Sequence, residues 1–276
     1  MSSPTQVDGR VAIITGAGSG IGRALARNLA ARGCPLVLSD VNEAGLLETA
    51  ETLSVPVLTK VMDVSDRWAH QQLAAEVQEW AAAPIALVIN NAGVALSQTV
   101  ADQSTEDVEW VMNINFWGVV HGTQAYLPIL TAQDSGAIIN ISSLFGIIAF
   151  PTQSAYNASK FAVRGYTESL RHELHGTGVR AICVHPGGIR TNIVNNGRHH
   201  VDNLGRRDDG AALKKDFEKI ARTTPAKAAE TIMRGVDKGH DRVLIGADAK
   251  AMDLLQRVAP TNYFGVIRRA QRVVMR

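Results

Sequence analysis

Cysteine is scarce in this chain. Cys34 and Cys183 are the only two in 276 residues, too few for a disulfide framework. Both sit among aliphatic residues of expected strands, which predicts buried thiols in a reducing compartment. Net charge is scarce too: 28 Lys and Arg against 26 Asp and Glu leave +2, and so small a balance excludes a broad electrostatic platform for nucleic acid. No stretch approaches the roughly 18 consecutive apolar residues of a spanning helix, and the opening MSSPTQVDGR has no apolar signal core. A soluble, cytoplasmic protein is expected. Internal repeats, low-complexity tracts and Pro/Gly/Ser-rich linkers are missing as well, so residues 1–276 are expected to fold as one domain.

What the chain does have is rhythm. With 46% hydrophobic residues it can build a sizeable core. Short aliphatic runs recur: VAIIT from Val11, PLVLS from Pro35, VPVLTKV from Val55, IALVIN from Ile85, GAIINIS from Gly136, VRAICVH from Val179 and RVLIG from Arg242. Each reads as a buried strand. Longer segments of helical spacing alternate with them, which predicts an α/β fold, a parallel sheet covered by helices on both faces. The rhythm breaks twice, over 188–225 and over 247–276, and both segments are expected to be functional appendages.

Directly after the first expected strand comes TGAGSGIG, Thr15 to Gly22. Glycines there let backbone approach a ligand, and the N-terminus of the following helix offers free N–H groups to a diphosphate. Asp40 closes the second strand, 18 residues beyond Gly22, where a carboxylate accepts bonds from an adenosine ribose and repels a 2′-phosphate. No Arg or Lys stands at Ser19, Ser39 or Val41, although Arg23 is near enough in sequence to approach. NAD is therefore expected over NADP.

Tyr156 precedes Lys160 by four residues in SAYNASKFAVRG, so on a helix the phenol and the ammonium share a face. A cation about 4 Å from the phenol at an effective dielectric of ~20 favours phenolate by up to about 4 kcal/mol. That would turn a tyrosine into an acid/base. The same pair also reads as packing beside a solvated charge.

Five ordered motifs decide between these readings: TGAGSGIG, NNAG at Asn90 to Gly93, Asn115 within MNINFWG, Ser143 followed 13 residues later by YNASK, and PGGIRT at Pro186 to Thr191. With them the chain resembles the classical short-chain dehydrogenase/reductase family. The resemblance implies a Rossmann-type doubly wound sheet of seven strands in the order 3-2-1-4-5-6-7, and hydride transfer between a nicotinamide and a carbinol or carbonyl carbon. It implies Tyr156 as acid/base, Ser143 on the substrate oxygen, Lys160 lowering the tyrosine and holding the ribose, and Asn115 in a proton relay. By the same resemblance the cofactor meets Gly16, Ser19, Gly20, Ile21, Gly22 and Asp40, then Asp63 and Val64, then Asn90, Ala92 and Gly93, and finally Pro186, Gly187, Ile189 and Thr191, besides Tyr156 and Lys160. Asn90 also reads as a brace within the sheet, and Thr191 as a helix cap.

Leu96, Leu144, Phe145, Ile147, Ile148, Phe150 and Ile193 surround the expected site, and no arginine pair awaits an anion, so a hydrophobic secondary alcohol or ketone is the expected substrate. Residues 188–225 resemble the family's variable substrate lid, carrying His199, His200, Arg206 and Arg207. No metal site is expected, since zinc-like spacing is missing. In the tail, Phe264, Ile267, Ala270 and Val274 share one helical face, with Arg268, Arg269, Arg272 and Arg276 on the basic side. That pattern suits packing on the protein better than a membrane surface. The resemblance implies a homodimer or homotetramer, with helices 106–130 and 152–175 at a dimer interface and the tail over a surface tetramers use. Two other functions stay open: an NAD(H)-binding sensor without turnover, and an NADP-dependent carbonyl reductase.

Overall fold

The computed structural model describes residues 4–194, 196–201 and 221–274, with side chains as far as residue 269. All seven aliphatic runs are strands: β1 (Val11–Thr15), β2 (Leu36–Asp40), β3 (Val57–Val61), β4 (Ile85–Asn90), β5 (Gly136–Ile141), β6 (Val179–Pro186) and β7 (Arg242–Ile245). They form one parallel sheet in the order β3-β2-β1-β4-β5-β6-β7, as the resemblance implied. Side chains alternate across it. Ala12, Ile14, Leu36 and Leu38 enter one core, while Val11, Ile13, Val37 and Val88 enter the other. Burial on both faces is the reason these strands read as unbroken aliphatic runs.

The helices that cover the faces are α1 (Gly20–Ala30), α2 (Glu43–Glu51), α3 (Arg67–Trp80), α4 (Thr105–Met112), α5 (Gly118–Gln133), α6 (Ser154–Glu173), α7 (Pro225–Asp237), α8 (Ala247–Val258) and α9 (Tyr263–Val274). Their starts follow local chemistry. Asn42, Asp66, Ser104 and Thr224 each accept a hydrogen bond from a backbone N–H of the first turn they precede, and Pro225 adds a preset φ after Thr224. The stretch 106–130 is helical throughout, as expected, and α4 runs into α5 through a wide π segment, Asn113–Trp117. Asn115 lies inside that segment, fully buried.

The chain leaves β1 toward β2 and β3 on one side of the sheet, and later strands add on the other. Between β1 and β4, at their carboxyl ends, this reversal opens a crevice. A short parallel pair, Leu96–Ser97 with Arg198–His199, lies apart from the main sheet. Cys34 and Cys183 are free, buried thiols. No helix of the described residues is long and apolar enough to cross a membrane.

Two buried histidines hold backbone near the crevice. The Nε2–H of His70 donates to the Val64 carbonyl at 3.0 Å, and the Nδ1–H of His185 donates to the Ser143 carbonyl at 3.0 Å. Burial pushes each imidazole down to about 4. Unfolding returns them to about 6.5, so the unfolded chain binds more protons between these values, and stability is lost as pH falls through that window. Each histidine accounts for about 3 kcal/mol. Thermal melts are expected to drop steeply from pH 6.5 to pH 4, and the double variant His70→Gln/His185→Asn to show a much flatter dependence. An unchanged slope would remove the two imidazoles as the cause.

Candidate active site

The crevice is a cleft of about 1010 Å³ running from the loop after β1 to the helix α6. Its floor is built from close backbone contacts. Gly16 (φ +66) and Gly20 (φ +53) take left-handed conformations that side chains resist. A Cβ on Gly22 would fall 2.1 Å from the Gly16 carbonyl oxygen, so Gly22 serves the packing of α1 against the loop and does not line the cleft. Gly16, Ser19, Gly20 and Ile21 do line it, at the N-terminus of α1 where N–H groups and helix dipole favour an anion. At the same end Asp40 accepts from Gly18 N–H at 2.8 Å and Asn42 N–H at 2.9 Å. Arg23, the nearby cation, is paired with Glu48 at 2.7 Å. This cradle fits a dinucleotide: a diphosphate has room and donors at the glycine loop, and the Asp40 carboxylate edges the cleft where a ribose follows.

Farther along, the two asparagines of NNAG part company. Asn90 is buried, and its amide donates to Asn140 Oδ1 at 2.8 Å and to Thr123 Oγ1 at 3.3 Å. It braces β4 against its neighbours and does not line the cleft. Asn91, which the sequence reading passed over, faces the cleft and joins the exits of β1 and β4. Ala92 and Gly93 follow it along the wall, with Asp63 and Val64 opposite. Here Asp63 accepts from Ser65 N–H at 2.8 Å, and Val64 is held by His70.

Ser143, Tyr156 and Lys160 come together at the far side of the cleft. The first turn of α6 presents Tyr156 to the same cleft as the serine, whose hydroxyl accepts from Phe145 N–H at 3.1 Å. Ser142 also lines the cleft, but its hydroxyl is engaged, donating to the Lys160 carbonyl at 2.8 Å. Lys160 Nζ lies 5.8 Å from the centre of the Tyr156 ring and donates to the Ile141 carbonyl at 3.0 Å. Burial brings the lysine down to about 8. Burial also pushes the Tyr156 phenol up, with the Ser143 hydroxyl pulling the other way. This corrects the expectation drawn from spacing, in which the ammonium holds the phenol low. The two do share a face, but both lose their water, and desolvation outweighs a cation turned toward a backbone carbonyl. Asn115 does not line the cleft: its side chain accepts from Val94 N–H at 2.8 Å and donates to the Val94 carbonyl at 3.0 Å and to Ser159 Oγ at 3.1 Å.

At the end of β6, Pro186, Gly187, Ile189 and Thr191 line the cleft. The Thr191 methyl packs over the glycine loop, 3.1 Å from where a Cβ on Gly20 would stand. The end of the cleft beside Tyr156 is apolar. Phe145 stacks on Phe150 at 5.7 Å and meets the edge of Tyr156 at 6.0 Å; Leu144, Ile148 and Ile193 join them. Leu96 and Ile147 were expected here, but both are buried away from the cleft, Leu96 packing with Val111 and Ala155. The tail closes this end. Tyr263 Oη accepts from Ala149 N–H at 2.9 Å, Phe264 meets Phe150 edge-on at 6.3 Å, and Ile267 reaches the cleft. The tail's described residues thus cover the protein's own cleft, with Arg268 and Arg269 exposed outside. Ala270, Arg272, Val274 and Arg276, like Arg206 and Arg207 of the segment expected as a lid, lie outside the described side chains. His199 lines the cleft, while His200 pairs with Asp107 at 3.0 Å; among the described residues no cluster of metal-binding side chains forms.

Comparison with known proteins agrees with this geometry. A family model described as short chain dehydrogenase matches residues 10–202. The protein of Mycobacterium tuberculosis named "Putative oxidoreductase SadH" is 44% identical over 264 residues, 93% of each chain. Among solved structures, a short chain dehydrogenase/reductase from Burkholderia phymatum in complex with NAD superposes with a TM-score of 0.82 at 30% identity, covering 91% of this chain and 94% of that one. A short chain dehydrogenase from Burkholderia cenocepacia in complex with NADP gives 0.75 at 26% identity, covering 92% and 95%.

Proposed function

Because the chain belongs to the short-chain dehydrogenase family, we propose that it transfers a hydride between a nicotinamide dinucleotide, NAD in preference to NADP, and a hydrophobic secondary alcohol or its ketone. The observation that carries this reading is the convergence of Ser143, Tyr156 and Lys160 on one cleft that also contains the glycine loop. The bound cofactor supplies the acceptor or donor of hydride; the chain handles the proton. Tyr156 Oη takes the hydroxyl proton in oxidation or delivers it to the carbonyl oxygen in reduction. Its phenol is raised by burial, so at neutral pH it stands ready as the acid of ketone reduction. Ser143 Oγ steadies the substrate oxygen beside it, and Lys160 holds the nicotinamide ribose. Asn115 extends the proton path through the backbone of its π turn, since its side chain is engaged with Val94 and Ser159.

Three observations support the finer claims. Asp40 edges the cleft and Arg23 is committed to Glu48, so at the described ribose end a 2′-phosphate meets a carboxylate and no free guanidinium. At the substrate end Phe145, Phe150, Ile148, Met252 and Ile267 supply apolar surface, and Lys160 is the one Lys or Arg among the described residues lining the cleft. Trp117, in the π segment before α5, and Phe161, on α6, stay 46% and 41% exposed, which supports a homodimer or homotetramer built through these helices. The protein is read as cytoplasmic. A sensor that binds NADH without turnover needs none of the serine, tyrosine and lysine arrangement, and the intact arrangement favours catalysis.

Reduced-nicotinamide absorbance across a panel of secondary alcohols and ketones is expected to show turnover with NAD(H) that falls by at least about 100-fold in Tyr156→Phe, while NADH binding survives. Binding without turnover on any member would favour the sensor. Asp40→Ala combined with Val41→Arg is expected to raise NADP affinity relative to NAD by about tenfold or more; an unchanged ratio removes Asp40 from the ribose. Light scattering is expected to give a mass of two or four chains, and a single-chain mass would overturn the assembly.

A further inference from the structure

We propose that Asp248 is a positioning residue for the nicotinamide end of the cofactor, acting through the Gly187–Gly188 turn. The inference rests on the dehydrogenase reading and deepens it.

After Pro186 the chain leaves β6 through two glycines, the least constrained backbone available, at the point where it lines the cleft. Left alone, such a turn samples many conformations, and its peptide groups present no fixed face to a ligand. Two of its contacts come from backbone. Gly187 N–H donates to the Ile245 carbonyl at 2.9 Å, and the Gly188 carbonyl accepts from Thr223 N–H at 3.2 Å. The third is a side chain 60 residues away: Gly188 N–H donates to Asp248 Oδ2 at 2.7 Å, the short separation of a charge-assisted bond. That bond fixes which way the Gly187–Gly188 peptide faces.

The space around the carboxylate is made for it by two glycines on different strand exits. A Cβ on Gly187 would fall 2.2 Å from Asp248 Oδ2, and a Cβ on Gly246 would fall 2.2 Å from Oδ1. Gly246 also holds φ at +97, a conformation that side chains rarely adopt. The carboxylate therefore fills the gap between the ends of β6 and β7, and it lines the cleft together with Gly187, Gly188 and Ile189. Asp248 sits in the first turn of α8. Oδ2 reaches across to the turn, while Oδ1 lies against Gly246 at the start of its own helix. It does not meet the Ser143–Tyr156 pair, so its effect on any reaction passes through the turn.

Calorimetric titration with NADH and with ADP-ribose, which shares the adenosine and diphosphate but lacks nicotinamide, separates positioning from general structure. Wild type is expected to bind NADH more tightly than ADP-ribose. Asp248→Ala is expected to weaken NADH by about tenfold while ADP-ribose binding stays within about twofold, which also shows that the variant is folded. Asp248→Asn retains an oxygen that accepts from Gly188 N–H and is expected to recover most of the lost NADH affinity. Gly187→Ala, which displaces the carboxylate, is expected to reproduce the alanine variant's selective loss. Equal loss of both ligands in Asp248→Ala, no loss of either, or no recovery in Asp248→Asn overturns the inference alone. Wild type that binds neither NADH nor ADP-ribose overturns the dehydrogenase reading, and the inference falls with it.

Discussion

Where β1 and β4 end side by side, the chain departs in opposite directions, and four hydrogen bonds keep the two exits together. Thr15 Oγ1 accepts from Asn91 N–H at 3.0 Å and Ala92 N–H at 3.1 Å, and the Asn91 amide donates to the carbonyls of Thr15 at 2.9 Å and Gly16 at 3.1 Å. The rest of the cleft depends on this staple. It brings the glycine loop so near the β4 exit that a Cβ on Gly16 would lie 2.8 Å from Ala92 Cα. It also lets Gly93 pass close to Lys160 Nζ, 3.3 Å from where a Cβ would stand. A parallel sheet supplies the crevice by topology; the staple sets its width.

Burial, more than proximity, governs the electrostatics of the site. Tyr156 and Lys160 are both buried, at 8% and 3% exposed, and desolvation moves each toward its neutral form, the phenol up and the ammonium down to about 8. An i, i+4 pair on an exposed helix would behave differently, because water would carry most of the cost of the charges. The same low-dielectric setting gives the Ser143 hydroxyl its weight, since a polar group beside the phenol works against that desolvation.

The two appendages differ in what the structure makes of them. The helix α9 returns to the mouth of its own cleft through Tyr263, Phe264 and Ile267, forming an aromatic file with Phe150 and Phe145 that ends at Tyr156. An amphipathic face seeks apolar surface wherever the fold offers it, and the apolar end of the cleft is the surface within reach of the chain after β7. Much of the segment expected as a substrate lid, its residues 202–220, lies outside the described residues; the cleft as described is lined from the loop after β1, the exits of β4 and β6, α6 and the tail.

Much of this was legible in the residues. Aliphatic runs bounded by turns marked all seven strands, the glycine loop marked the first strand-to-helix turn, and the family resemblance, with its tyrosine 13 residues after the serine, marked Ser143 and Tyr156, which meet in the cleft. These are local patterns, and period and capping chemistry determine local structure directly. Neighbouring asparagines were not separable that way. Asn90 and Asn91 stand at successive positions in NNAG, and only the pleat of β4 and the place where the strand ends decide that one braces the sheet while the other staples the cleft. The π turn around Asn115 left no mark in MNINFWG, and Asp248 left none in GADAK, because its partner lies 60 residues earlier. By itself, then, the sequence determined the elements, their order and the chemical groups available. Tertiary structure alone decided which of those groups face the cleft, which lose their water, and what the tail covers, because each of these depends on contacts between segments distant along the chain.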